Sequence, residues 1–142
     1  MKKYLAVFVA ILGTLFFSGC ASVTTQATNV FPEAKPDKGL VYFYREKKIV
    51  GSMISYNIKH QDVVIGALAN GTYFFYEVNP GSHTFSASTE ATVSRTLTVE
   101  AGKTYYIAGS VEMGVLAGRP GLTIPSEAEA KAVLPGLKYA TK

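Results

Sequence analysis

From Gly39 onward the chain is cut into short apolar and aromatic runs by turn residues. The runs recur at roughly 8–12-residue spacing, and that rhythm constrains the fold more than any other feature. They are LVYFYR at 40–45, then 52–59 with Ile54, Tyr56 and Ile58 on one face, then Asp62 to Leu68 and Tyr73 to Val78. His83 to Thr89, Val93 to Glu100 and Thr104 to Val111 follow. Each reads as a half-buried strand. Asn70-Gly71, Asn79-Pro80-Gly81 and Ala101-Gly102-Lys103 stand between them. Asn-Gly tolerates positive φ at both centres and is a hairpin signal; Pro-Gly presets one φ and supplies the next. The spacing predicts a mainly-β antiparallel sandwich or barrel, not βαβ units. Nine Tyr and eight Phe, concentrated in these runs, suit a pleated surface. The glycine-rich stretch 114–121 reads as a loop or an irregular edge strand. It lacks the Gly-Lys-Ser/Thr ending of a phosphate loop.

One short C-terminal helix is expected. Ser126 with Glu129 three residues later forms a capping box, and Pro135-Gly136 ends the helical run. At about eight residues it cannot stand alone. It must dock through Ala130, Val133 and Leu134, on the sandwich or over an edge strand.

The N-terminal segment reads as an address. Lys2 and Lys3 precede fifteen uncharged residues, Tyr4 to Ser18, then Gly19 and the single Cys20. Fifteen helical residues span about 22 Å, short of a bilayer core of about 30 Å. A cleavable signal therefore fits better than a spanning anchor. Phe17-Ser18-Gly19-Cys20 resembles a bacterial lipobox, with Phe17 where Leu is commoner. That resemblance implies cleavage between Gly19 and Cys20 and lipidation of Cys20, palmitate included. Ala21 stands where an Asp would retain a lipoprotein at the inner membrane, so the expected location is the outer membrane, facing the periplasm. With no second cysteine, no disulfide can form within the chain.

The expected organisation is a signal over 1–19, a lipidated N-terminus and flexible tether over 20–38, a sandwich with its terminal helix over 39–135, and a tail over 136–142. The Thr-, Ala- and Pro-rich tether would reach about 20–25 Å as a coil. A poorly paired first strand near Val30-Phe31 is the alternative. Removing Lys2 and Lys3 lowers the formal charge from +4 to +2. No basic block exists, which excludes a nucleic-acid footprint.

Chemistry is sparse. His60 and His83 sit near predicted turns, outside metal-ligand spacing, and read as solvated. Glu77, Glu90, Glu100 and Glu112 fall near strand ends, and nothing selects a catalytic pair. No Gly-x-Ser-x-Gly elbow is present. No catalytic residue, metal or cofactor is expected. Outward tyrosines, Tyr105 and Tyr106 above all, together with Arg119, form the candidate ligand-binding set.

Tyr42-Phe43-Tyr44-Arg45, Ile65-Gly66-Ala67-Leu68, Asn70-Gly71-Thr72-Tyr73-Phe74, Pro80-Gly81-Ser82-His83 and Ala101-Gly102-Lys103-Thr104-Tyr105-Tyr106 occur in this order. In that order, Leu40 to Leu134 resembles the bacterial family named domain of unknown function 2846, with Ser126 to Leu134 similar to its closing helix. Pro-Gly-x-His also resembles PEGA-type and carboxypeptidase-regulatory-like sandwiches. The resemblance implies an immunoglobulin- or prealbumin-like sandwich and no catalytic residues. The expected function is therefore a lipid-anchored, non-catalytic envelope module that binds a partner protein. The alternatives are a binder of glycan, peptidoglycan or another small envelope ligand through outward tyrosines, and an enzyme.

Overall fold

A computed structural model describes residues 21–141. The expected cleavage at Gly19-Cys20 and lipidation of Cys20 lie outside the described residues. The strands are β1 (Thr24–Thr25), β2 (Gly39–Arg45), β3 (Tyr56–His60), β4 (Val63–Leu68), β5 (Thr72–Val78), β6 (Gly81–Ser88), β7 (Thr92–Val99), β8 (Thr104–Glu112), β9 (Arg119–Thr123) and β10 (Lys138–Thr141). Among the described residues one helix, α1 (Glu127–Val133), runs into a 3-10 turn at Leu134–Gly136.

All seven residues of β2 are buried, so this strand sits at the centre with cover on both faces. It lies in a six-stranded sheet ordered β1-β10-β5-β2-β8-β9, packed on a four-stranded sheet ordered β4-β3-β6-β7. The sandwich expected from the sequence is present. Its pairings are mostly antiparallel, but β2 with β8 and β10 with β5 are parallel. Val41 and Phe43 of β2 face the small sheet, where they meet Tyr56, Ile58, Leu68, Phe74, Phe85, Val99 and Ile107. Leu40, Tyr42 and Tyr44 face the other way, into a second cluster with Tyr73, Tyr106, Ala130, Leu134 and Leu137. The alternation follows from the two-residue period of a strand.

Helix α1 begins as expected, with the Ser126–Glu129 capping box formed in both directions. It docks through Ala130, Val133 and Leu134. It covers the tyrosine face of the large sheet, not an edge.

Several sequence expectations need correction. The turn at Asn70-Gly71 has Gly71 at φ 73° as the turn requires, yet it joins no hairpin. β4 pairs with β3 while β5 pairs with β2 and β10, so this turn carries the chain between sheets. The turns at Pro80-Gly81 and Gly102 also cross between sheets. The tight hairpin is instead Gln61-Asp62, two non-glycine residues at φ 49° and 66°, joining β3 to β4. The expected strand over 52–59 starts only at Tyr56. Arg45, 2% exposed, donates from its guanidinium to the carbonyls of Gly51 and Ile54 at 2.5 Å each, folding that segment into a loop. Among the described residues no carboxylate pairs with Arg45; its charge rests on these carbonyls and on the Tyr56 ring, 5.9 Å away.

The flexible tether is overturned most fully. Thr24–Thr25 pairs with β10, and that same pairing turns the expected tail into an interior strand. Asn29 donates to Leu137 O at 2.8 Å and accepts from Tyr139 N–H at 3.0 Å. The Tyr73 hydroxyl donates to Val30 O and accepts from Val30 N–H. Phe31 stacks on Tyr73 at 5.0 Å, and Tyr42 Oη donates to Pro32 O at 2.6 Å. Ordering this segment costs about 1 kcal/mol or more per residue. Pro32 and Pro36 reduce that cost by restricting the unfolded chain. The segment is a strap, and buried tyrosine hydroxyls that need partners hold it down.

Tyr73→Phe removes both hydrogen bonds to Val30. We expect a loss of about 1–2 kcal/mol in urea unfolding. Amide exchange should accelerate over 28–34 while β2 and β8 keep their protection. Unchanged exchange in the strap would refute its dependence on Tyr73.

Candidate functional site

Two loops meet at the end of the sandwich where β2 and β8 finish. Residues 46–55 follow β2, and residues 113–118 join β8 to β9. Gly51 and Gly118 both lie against Val111, near the end of β8, with no room for a side chain at either position. Arg45 fixes the first loop. Glu90, in the turn between β6 and β7, fixes the second: its carboxylate accepts from the N–H groups of Val115, Leu116 and Ala117 at 2.9–3.2 Å. Those amides hold the Glu90 pKa below the usual carboxylate value, and Arg119 Nε at 3.3 Å adds to the effect. The two clamps display what the loops carry. Of the ten large apolar side chains exposed among the described residues, six are here: Ile49, Val50, Met53, Met113, Val115 and Leu116. Ile49 is 94% exposed, Met53 95% and Leu116 92%. Apolar side chains gathered on one end of a domain mark a contact surface.

A second feature lies on the far face of the large sheet. Between the strap and α1 runs a cleft of about 460 Å³, walled by Phe31, Pro32, Leu134 and Pro135 and floored by Tyr42 and Tyr106. The two rings stack at 5.8 Å. Burial raises the Tyr106 pKa, with Lys131 opposing and Glu127 assisting. Lys131 and Glu127 pair across one helical turn at 2.5 Å on the rim.

The residues picked from sequence do not converge. Tyr106 floors this cleft, but Tyr105 faces the core between the sheets, where its hydroxyl accepts from Glu100 N–H at 2.9 Å. Adjacent strand residues point to opposite faces. Arg119 pairs in register with Glu112, six residues along β8 from Tyr106, or about 20 Å. There it is occupied by Glu90. The stretch 114–121 is a turn followed by an edge strand from Arg119. The apolar tip was missed because single exposed apolar residues carry no pattern until folding groups them. Among the described residues there is no cluster of three His, Cys, Asp or Glu side chains, and no helix is long and apolar enough to cross a membrane.

Residues 35–121 match the protein family of unknown function DUF2846, over more than half of the chain. The chain belongs to the DUF2846 family. A comparison with curated proteins gives no match. The DUF2846 match encloses the four-stranded sheet, β2, β5 and β8 of the larger sheet and both tip loops, while β1 and β10 lie outside it and β9 runs past its end. It ends before α1 and begins after most of the strap, so the cleft's two walls lie outside it.

The histidines of the DUF2846 domain are not solvated turn residues, as the sequence suggested. They lie on neighbouring strands, with His60 Nε2 and His83 Nδ1 2.9 Å apart. His83 Nε2 is 2.7 Å from Asn79 O. A carbonyl only accepts, so His83 carries its proton on Nε2. Its Nδ1 then accepts from His60 Nε2–H. His60 packs against Tyr76 and Phe85. Burial, reinforced by His83, lowers the His60 pKa from 6.5.

A histidine with a depressed folded pKa stabilises the fold above its unfolded value and loses that contribution as pH falls through the folded value. Urea midpoints of the DUF2846 chain should therefore fall between pH 7 and 5, and His60→Gln should flatten that slope. Glu90 and Glu129, whose pKa values are lowered from 4.5, lose their contributions only in more acidic solution. An undiminished slope in His60→Gln would assign the pH response elsewhere.

Proposed function

We propose that this DUF2846 chain is a lipid-anchored, non-catalytic module of the bacterial cell envelope that docks a partner protein. The address rests on Lys2-Lys3, the apolar run and Phe17-Ser18-Gly19-Cys20. The observation that carries the reading is the strap. From Thr24 the chain is paired into the sheet, so Ala21–Val23 alone separate Cys20 from the domain. Three residues reach about 10 Å at full extension. A lipid on Cys20 would hold the sandwich itself at the headgroups, in a fixed attitude, where a slack tether would let it swing. Ala21 favours the outer membrane, with the domain in the periplasm.

Cys20→Ala should move the folded protein from the membrane fraction to the soluble periplasmic fraction and abolish incorporation of labelled palmitate. Retention of Cys20→Ala in carbonate-washed membranes, with its N-terminus uncleaved, would overturn the lipid anchor.

The cleft between strap and helix favours a second reading, a site for a glycan or peptidoglycan fragment. Its volume lies within the ordinary range for small-ligand sites, and stacked tyrosines offer a flat floor. Titration with soluble muropeptides should then shift NMR resonances of Phe31, Tyr42 and Tyr106 while leaving Ile49 and Leu116 unmoved. No shift at millimolar ligand would dismiss this reading.

A further inference from the structure

The strap and the strand directions fix which way the apolar tip would point. β1 runs antiparallel to β10, β10 runs parallel to β5, and β5 runs antiparallel to β2. β1 therefore runs in the same direction as β2. By register Thr24 lies level with Tyr42, so the chain enters from the Gly39 side of the sheet. The tip loops leave from the Arg45 side. From the level of Thr24 to that of Arg45 is three residues, about 10 Å, before the loops add their own height. The chain comes in from the side away from the tip and pairs from mid-sheet, and the tip lies beyond it along the strand direction. Entry and tip also lie toward opposite edges, since β1 is at one edge and the 113–118 loop joins β8 to β9 at the other.

This separation narrows what could cover Ile49, Val50, Met53, Met113, Val115 and Leu116. A domain held through Cys20 with its strands upright turns this end away from the membrane that anchors it. Two copies anchored side by side cannot meet tip to tip, because both tips point away from the bilayer. A sugar offers little apolar surface to side chains that project this far. The charges at the tip then select among proteins. Lys47 and Lys48 adjoin Ile49 on the same loop, and neither forms an ion pair among the described residues. Glu90 and Arg119 neutralise each other. Glu112 falls on the side of the sheet that carries α1, beside Gly121, while Glu46 lines one hollow with Lys48 and Val50 and leaves the run Glu46-Lys47-Lys48 with one positive charge in excess. The tip is an apolar projection with a net cationic shoulder.

We infer that the loops 46–55 and 113–118 form the docking surface of the DUF2846 domain for a separate envelope protein, one that offers an apolar cleft with an acidic rim. The inference rests on the proposed anchor at Cys20, which sets the direction of the tip. Ile49, Met53 and Leu116 enter the cleft, and Lys47 and Lys48 face the acids. Arg45 and Glu90 hold the loops ready, so little ordering remains to be done on binding.

The test uses the full-length protein in living cells, with a photocrosslinking residue placed at Ile49 or at Leu116 and, as control, at Ser82 beyond the opposite end. Both tip positions should give the same discrete protein adduct, absent from Ser82. With that protein identified and purified, Ile49→Ser with Leu116→Ser should weaken binding roughly tenfold or more, with the melting temperature unchanged. Lys47→Glu with Lys48→Glu should slow association about threefold or more and reduce its salt dependence. Adducts to phospholipid would assign the tip to a bilayer, and adducts to a second copy would make it a self-interface; either overturns the inference. The absence of a tip adduct, or the same adduct from Ser82, overturns it too. Palmitate labelling of the same strains separates the two readings: an unlabelled chain that still gives the tip adduct keeps the docking surface and refutes the anchor.

Discussion

The burial of β2 on both faces is the constraint on which the rest of the structure depends. A sandwich strand ordinarily needs cover on one side only. Here Val41 and Phe43 look one way while Leu40, Tyr42 and Tyr44 look the other, and none is left in water. The small sheet answers the first demand. The second is met by α1, the 3-10 turn and the strap, none of which belongs to the sandwich proper. The outer face is tyrosine-rich, and that choice has a structural consequence. A leucine face would accept any apolar cover. A tyrosine face needs hydroxyl partners as well as area. Tyr42 and Tyr73 find theirs in the backbone of Pro32 and Val30, so the covering segment is specified atom by atom.

This explains which parts of the fold could be read from the sequence. The period of two located β2 and β4 to β8 within a few residues, because each strand carries its own alternation. The capping box located α1 for the same reason: its signal lies within four residues. The turns were legible as turns but not as hairpins. Gly71 must adopt positive φ whether the next strand pairs with the last or crosses to the other sheet, so turn chemistry alone does not choose. β1, β10 and the strap were illegible because they exist only through distant partners. Thr24 pairs with Thr141, and Asn29 bonds Leu137. A Thr-, Ala- and Pro-rich stretch looks the same whether or not such partners await it.

The candidate site divides along the same line. That Tyr105 and Tyr106 face opposite ways follows from pleating alone, and sequence reasoning that respected the period would have separated them. The engagement of Arg119 by Glu90 did not follow, since 29 positions separate the pair. The histidine pair lay between these cases. Both residues were placed near turns and read as solvated, and only the β3–β6 register brings their rings together.

The two clamps at the tip differ from ordinary loop contacts in what they consume. Arg45 and Glu90 are ionisable groups whose bonds run to backbone carbonyls and amides, and among the described residues Arg119 is the one charged side chain either of them meets. Burying the Arg45 guanidinium without a carboxylate is costly, and a loop with no purpose beyond connection could be shortened to avoid it. The loop instead keeps ten residues, with Ile49, Val50 and Met53 turned outward. A clamp on backbone atoms fixes a loop without consuming the side chains of Ile49, Val50, Met53, Val115 and Leu116. That arrangement stabilises a binding surface in advance, and it accounts for apolar residues that burial within this domain would otherwise have claimed.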